Sequence, residues 1–121
     1  MDKSLITFQR IEEFEKELLK LKRKYRSLET DLSLLEKVIR EQPAGFSDNI
    51  VPISGLGLSR SSVFKVRKFR CQSLKGKGNQ SGIRIIYGFK NDRPDLIYFV
   101  EIYFKADKEI ENKERIKKYF D

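Results

Sequence analysis

The chain has 121 residues, of which 39% are hydrophobic, 12% aromatic and 36% charged, a composition typical of one globular domain. No apolar run approaches the ~20 residues that cross a bilayer, and the polar start is unlike a signal peptide, so we expect a cytoplasmic protein without membrane contact. A single cysteine excludes an internal disulfide. Because histidine is absent, the usual zinc, haem and histidine-based catalytic sites are excluded, and we expect no metal or cofactor.

Positive charge is concentrated in the second part of the sequence. The chain has 26 Lys and Arg against 18 Asp and Glu, a net charge of +8. Residues 49–91 contain no acidic residue but nine basic ones. Such a segment repels itself unless a polyanion is bound, which favours phosphate binding over a merely solubilising surface. An anionic membrane is a weaker alternative, because no basic amphipathic helix with a wide apolar face is present.

Two helices are predicted in the first 42 residues. A short alternating segment, residues 5–8, comes first. Apolar residues then recur every three or four positions over 11–25 and again over 28–39. Ser27 is a suitable N-cap for the second helix, and Pro43 ends it. We expect an antiparallel helical hairpin whose Leu and Phe stripes belong to the core.

The remaining sequence predicts a small sheet. Residues 43–62 are rich in Pro, Gly and Ser and read as a connecting loop. Three strand-like segments follow at 63–70, 82–90 and 96–105, separated by strong turn signals that favour an antiparallel meander. A charged segment, 108–119, predicts a short C-terminal helix. The predicted fold is one α+β domain over residues 1–121: an N-terminal strand, a two-helix hairpin packed on one face of a twisted antiparallel sheet, and a short C-terminal helix.

Alternation along the strands assigns their side chains to two faces. The apolar sets expected to face the helices are Phe64 and Val66; Ile83, Ile85, Tyr87 and Phe89; and Leu96, Tyr98, Val100, Ile102 and Phe104. The opposite, helix-free face is expected to carry Lys65, Arg67, Arg84, Glu101, Tyr103 and Lys105. The alternation fails at Lys68 and Phe69, which predicts a bulge there.

The predicted basic face suits phosphate chemistry. Arginine clamps phosphate through two hydrogen bonds, tyrosine stacks on a base or donates a proton, and lysine supplies a cation or a base. A solvated sheet face with scattered cations is the alternative interpretation.

Three segments of the sequence resemble a known family. FKVRKFRC, then SGIRIIYGF, then IYFVEIYFKADKE with a charged terminal helix, are similar to the RelE/ParE superfamily of bacterial toxins, in its RelE-like branch. The resemblance covers nearly the whole chain and implies a strand, two helices and a strongly twisted antiparallel sheet. It further implies the toxin of a type II toxin–antitoxin pair, which cleaves messenger RNA in the ribosomal decoding site without metal.

The resemblance also implies site residues. Lys65 and Arg67 match the family's paired basic positions, and Arg84 matches the arginine of its SGxRxxY segment. For the late catalytic residue the candidates are Tyr103, Lys105 and Tyr119, with Tyr103 first because alternation places it on the basic face. Additional RNA contacts are expected from Lys68, Arg70, Lys75, Lys77 and Lys90.

RNA cleavage without metal requires a base for the ribose 2′-hydroxyl, cations for the phosphorane and an acid for the 5′-oxygen. Lys65 or Glu101 is the expected base. Arg67 and Arg84 are the expected charge stabilisers, and Tyr103 or Lys105 the acid. Glu101 has an alternative role, which is to neutralise a neighbouring arginine.

The expected partners are messenger RNA, the ribosome and a small acidic antitoxin protein. Two alternatives remain. One is a ParE-like poison that binds a topoisomerase without chemistry of its own, against which the retained Lys65, Arg67 and Arg84 argue. The other is a plain RNA- or DNA-binding domain.

Overall fold

The computed structural model describes residues 5–45, 48–74, 76 and 81–120. It contains five strands and three helices within these residues. In chain order they are β1 (Thr7–Arg10), α1 (Glu12–Lys22), α2 (Leu28–Glu41), β2 (Ile50–Pro52), β3 (Ser61–Val66), β4 (Ile83–Lys90), β5 (Leu96–Phe104) and α3 (Lys113–Phe120). The α+β class is therefore as predicted. In the described part of the chain, no helix has the length and apolar character needed to cross a membrane.

The sheet is mixed, with the strand order β1-β5-β4-β3-β2. The expectation of a wholly antiparallel sheet is wrong at one edge, where β1 pairs with β5 in parallel. This pairing joins the first and last strands in the chain, and the helical hairpin carries the chain from β1 to β2 at the opposite edge of the sheet. Residues 43–62 are also more than a loop, since they contain β2, which pairs antiparallel with β3.

The helical hairpin packs on one face of the sheet, called here the hairpin face. Phe14 of α1 stacks on Phe99 of β5, with ring centroids 5.4 Å apart. Tyr25, between the helices, stacks on Phe104 at 5.9 Å. The stripes of α1 and α2 are core, as predicted, because their buried residues recur at helical spacing.

Ser27 is at the N-cap position of α2, but its hydroxyl makes no capping hydrogen bond to the helix backbone. It donates instead to the buried Asp31 carboxylate at 2.7 Å. The same hydroxyl accepts the Ser73 amide at 2.8 Å. Asp31 also accepts the Gln72 amide, so this start of α2 anchors the chain that follows β3.

The predicted side-chain faces are correct in β3 and β4. In β5 they are correct only in the second half of the strand. The register shifts between Ile86 and Tyr87, which pair with Glu101 and Phe99, so Val100 is an extra residue. Before this bulge the hairpin face takes Phe99 rather than the expected Tyr98, whose ring meets Phe120 of α3. No bulge occurs at Lys68 and Phe69: β3 ends at Val66, and Phe69 turns into the core.

The opposite face of the sheet, called here the far face, is covered in part by the C-terminal segment, residues 106–120. Phe120 packs over Gly88, whose absent side chain leaves room for its ring. The Phe120 carbonyl also accepts a hydrogen bond from the Ser61 hydroxyl at 3.0 Å. The expectation of a helix-free face is therefore wrong.

Candidate nucleic-acid interface

Three cations meet at one end of the far face, a group called here the cationic corner: Arg67, Arg84 and Lys105. Arg84 lies near the start of β4, and its guanidinium donates to the Arg67 carbonyl at 2.5 Å just beyond β3. The Lys105 amide donates to the Gly82 carbonyl at 2.8 Å, which holds Lys105 beside the same strand end. Among the described residues, no carboxylate forms an ion pair with any of the three. The corner is therefore an open cationic surface.

Tyr103 forms the base of the cationic corner. It pairs with Arg84 across β4 and β5, and such partners point to the same face. Its side chain is only 7% exposed, and its hydroxyl has no hydrogen-bond partner within the described residues. Burial, followed by the charges of Glu111 and Glu101, raises the pKa of Tyr103 to about 12. Tyr103 is therefore a neutral phenol at physiological pH with a buried hydroxyl, and the Lys108 ammonium covers its ring at 5.3 Å from the centroid.

The next row of the far face is occupied by ion pairs. It contains Lys65, Ile86 and Glu101, aligned across β3, β4 and β5. The Lys65 ammonium lies 2.5 Å from a carboxylate oxygen of Glu111. Glu101, fully buried, accepts hydrogen bonds from the Lys108 ammonium and, at 2.8 Å, from the Asn112 amide. Glu101 is thus neutralised, as its alternative role proposed, but by Lys108 rather than by an arginine.

The titration of Glu111 reflects two opposed effects. Burial acts to raise the pKa of its carboxyl, while the hydrogen bond from Lys65 and the nearby positive charges lower it. The net pKa of Glu111 lies below its ordinary value. Glu111 is therefore a carboxylate at neutral pH, and its negative charge compensates the positive charge of Lys65.

The other expected RNA contacts are dispersed. Lys68 and Arg70 border an apolar groove beside α2, and Lys68 lies 3.9 Å from Asp48. Lys90 pairs with Ser61 at the opposite end of β3 from the cationic corner. Lys75 and Lys77 lie outside the described residues.

Tyr119, a further candidate acid, is engaged elsewhere. Its hydroxyl donates to a Glu13 carboxylate oxygen of α1 at 2.6 Å. This hydrogen bond raises the pKa of Tyr119 and lowers that of Glu13. Because its proton is committed to Glu13, Tyr119 forms a link between α1 and α3.

Sequence reasoning missed the C-terminal residues that enter the far face: Lys108, Glu111, Asn112 and Arg115. The Arg115 guanidinium donates to Glu17 at 2.9 Å and to the Val100 carbonyl at 3.1 Å. The available signal was the dense mixture of charges over 107–118, which is typical of a segment that can pair with a charged surface.

Comparison with known proteins yields no matching family model, no similar curated protein and no similar solved structure. Within the described part of the chain, no three carboxylate or thiol side chains are close enough together to hold a metal ion. The arrangement of the cationic corner is therefore the main structural guide to function.

Proposed function

We propose that this protein is a ribosome-dependent messenger RNA endonuclease of the RelE-like kind, the toxin of a type II toxin–antitoxin pair. One observation carries the proposal: Arg67, Arg84 and Lys105, without carboxylate partners among the described residues, meet beside the neutral phenol of Tyr103. Arginine side chains bind phosphate through paired hydrogen bonds, and a buried neutral phenol is a proton donor.

The order of the elements supports the RelE-like resemblance. A strand, a helical hairpin, three consecutive antiparallel strands and a C-terminal helix follow one another, with β1 placed beside the last strand. The short strand β2 is an addition to the predicted layout. The segment SGIRIIY, on which the resemblance chiefly depends, contributes the first residues of β4 and carries Arg84 into the cationic corner.

The cleavage step assigns a role to each group. The ribose 2′-oxygen attacks phosphorus as the bond from phosphorus to the 5′-oxygen breaks, leaving a 2′,3′-cyclic phosphate and a 5′-hydroxyl. Arg67 and Arg84 stabilise the charge that develops on the phosphorane. Tyr103 donates the proton that the departing 5′-oxygen needs once movement of Lys108 uncovers its buried hydroxyl, with Lys105 as a further cation. The 2′-hydroxyl proton goes to a base.

The expected bases carry partners in this structure. Lys65 is paired with Glu111, and Glu101 is bound by Lys108 and the Asn112 amide. Either group becomes available to a 2′-hydroxyl only when residues 106–112 move. This observation favours a second candidate function, a domain that binds RNA through the cationic corner without cleaving it.

The proposed substrate is messenger RNA on the ribosome, which places the action in the cytoplasm. The cationic corner offers few groups of its own to orient a substrate, so the ribosome is expected to supply positioning. A small acidic antitoxin is the proposed partner, because an anionic peptide complements the positive surface. Recovery of a stable complex with an acidic protein encoded beside this one tests that partner.

The decisive experiment compares Arg84→Ala with Arg93→Ala in a translation reaction, with cuts mapped by primer extension. Arg93 is the matched control, since it is an exposed arginine in the turn between β4 and β5 and its side chain bonds only to Asp95 within the described residues. Loss of a transition-state contact is expected to lower the cleavage rate of Arg84→Ala by about 100- to 1,000-fold. Its unfolding free energy should fall by only about 1 kcal/mol, for the lost hydrogen bond to Arg67. Arg93→Ala should cleave as the unaltered protein does.

Three outcomes separate the candidates. Messenger RNA cut at specific positions by the unaltered protein, and not by Arg84→Ala, supports the endonuclease. RNA bound but left intact supports the plain binding domain. A protein that is toxic to cells but neither binds nor cuts RNA points to a contact poison of the ParE-like kind.

A further inference from the structure

The C-terminal segment covers the second row of the far face with its own charges. Glu111 is only 8% exposed and lies against Lys65. Lys108 and Asn112, three residues before Glu111 and one after it, bind Glu101. The cationic corner lacks such carboxylates among the described residues, although it belongs to the same face. Within the described residues, two adjacent rows of one surface thus differ in that carboxylates pair with the cation of one row and not with the cations of the other.

We propose that Lys65 is a second phosphate subsite, that Glu111 occupies it as an internal substitute for phosphate, and that single-stranded RNA displaces residues 106–112 to reach it. The inference rests on the proposed function, because it assumes that RNA binds the cationic corner. It adds a regulated subsite, next to the corner, that is closed in the free protein.

The position of Lys65 fits a chain that crosses the corner. Arg67 follows the end of β3, two residues after Lys65, a separation of about 7 Å along an extended chain. An extended nucleic-acid strand spans such a distance within one nucleotide. A phosphate bound by Arg67 and Arg84 therefore brings the next phosphate toward Lys65, where the Glu111 carboxylate now lies.

Replacing Glu111 on Lys65 by an RNA phosphate costs less free energy than removing Glu111 and leaving Lys65 without an anionic partner. Removing one partner of a buried ion pair is costly, because the other charge is left without compensation. An incoming phosphate replaces Glu111 on Lys65, so the ammonium keeps an anionic partner. Glu111 in turn regains its hydration when it leaves the surface.

The covering part of the segment has contacts that can be exchanged. Residues 106–112 belong to no helix or strand, and their side-chain contacts with the far face are ionic or polar. The following α3 is attached differently, through the buried Ile116 and Phe120. Asn112 also caps α3, because its side chain accepts the Arg115 amide at 3.0 Å. Residues 106–112 can therefore lift with loss of this cap, while Ile116 and Phe120 hold the rest of α3 on the sheet. The same movement uncovers Glu101, one of the two expected bases.

The test measures binding of a fluorescent oligothymidylate over a range of salt concentrations. This single-stranded DNA lacks the 2′-hydroxyl, so binding is separated from cleavage. In Glu111→Gln the subsite loses its internal anion, and affinity should rise several-fold. The slope of log affinity against log salt should stay unchanged in Glu111→Gln, because Lys65 binds the phosphate in both proteins. It should become shallower by about 0.7 in Lys65→Met, which loses one phosphate contact on a single strand.

The matched control is Glu109→Gln, which removes the same charge from an exposed residue of the same segment. Its affinity should stay at the value for the unaltered protein. Adding Lys65→Met to Glu111→Gln should abolish the gain in affinity. Equal behaviour of Glu111→Gln and Glu109→Gln overturns the inference while leaving RNA binding at the cationic corner intact.

Hydrogen exchange in the unaltered protein provides a test that needs no variant. The Asn112 amide is bonded to Glu101, so its protection from exchange should fall when oligothymidylate binds. Unchanged or greater protection overturns the inference. Binding with loss of protection, but without cleavage of messenger RNA, upholds the subsite and refutes the endonuclease. Absence of binding by the unaltered protein and by Glu111→Gln refutes both.

Discussion

The two faces of the sheet are built from alternate residues of the same strands, yet different forces hold them. On the hairpin face, rings from the helices and strands stack, as Phe14 does on Phe99, and water is excluded. On the far face, apolar contact is concentrated beneath α3, and the row beside it is held by ion pairs to Glu101 and Lys65. Apolar burial involves no charge that salt can screen, whereas ion pairs are weakened by salt and can exchange partners. The hairpin face therefore provides stability, and the far face provides a surface that can respond to a charged ligand.

The largest expected effect tests the assignment of faces in β5. Phe99→Ala should lower the unfolding free energy by about 3–5 kcal/mol, because it leaves a cavity among fully buried rings. Urea denaturation measures the loss. Tyr98→Ala is the control on the neighbouring position, where the half-buried ring meets Phe120 at its edge. A greater loss in Tyr98→Ala than in Phe99→Ala would contradict the bulge at Val100.

A smaller effect probes the apolar part of the far face. A methyl group at Gly88 would lie 2.8 Å from the Ser62 carbonyl oxygen and 2.9 Å from the Phe120 ring. Gly88→Ala should therefore destabilise the protein by about 1–3 kcal/mol through overpacking.

Calorimetry of Gly88→Ala, alone and combined with Phe120→Leu, checks the cause. The smaller side chain should restore part of the lost melting temperature, since it relieves the ring contact but not the backbone contact. Unchanged stability of Gly88→Ala would mean that α3 is held only loosely on the sheet.

The smallest effect concerns an ion pair between β1 and α2 at the rim of the hairpin face. The hydrogen bond from Arg10 of β1, with a further contribution from Lys22, lowers the pKa of Glu29 to about 2. Because the pKa is lowered on folding, this stabilisation is present above the ordinary value of 4.5 and is lost as pH falls through about 2. The Glu29 side chain is 44% exposed, so the loss should not exceed about 1 kcal/mol.

Urea midpoints between pH 6 and pH 2 measure this contribution, with Glu29→Gln as the reference. The difference between the two proteins should shrink as the pH falls. A difference that is constant with pH would show that the ion pair adds nothing to stability.

The sequence was sufficient to predict the hairpin, the three main strands and the faces of β3 and β4, because their apolar residues follow one period each. In β5 the sequence was not sufficient, because apolar residues occur at both even-numbered and odd-numbered positions from Leu96 to Phe104. A bulge at Val100 is then invisible to alternation. The parallel pairing of β1 with β5 could not be predicted either, because it joins two strands that are far apart in the sequence.

The candidate site was predictable to a similar extent. Arg67, Arg84 and Tyr103 come together as expected, since strand alternation and register are local rules. The partners of Lys65 and Glu101 could not be predicted, because Glu111 and Lys108 reach them only through the path of the C-terminal segment. Charge density marks that segment as able to pair with a surface but does not say which surface.

The Glu17–Arg115 pair protects the protein against association through its own sheet. β1 ends at Arg10, so in the described part of the chain no further strand lies beside the outer edge of β5 beyond Phe99. The Val100 carbonyl and the Ile102 amide at this edge are bound by Arg115 and Glu17. Unpaired groups on a strand edge are a template on which another chain can add and begin to aggregate. One ion pair between α1 and α3 thus blocks this edge and helps to keep neighbouring molecules from joining their sheets.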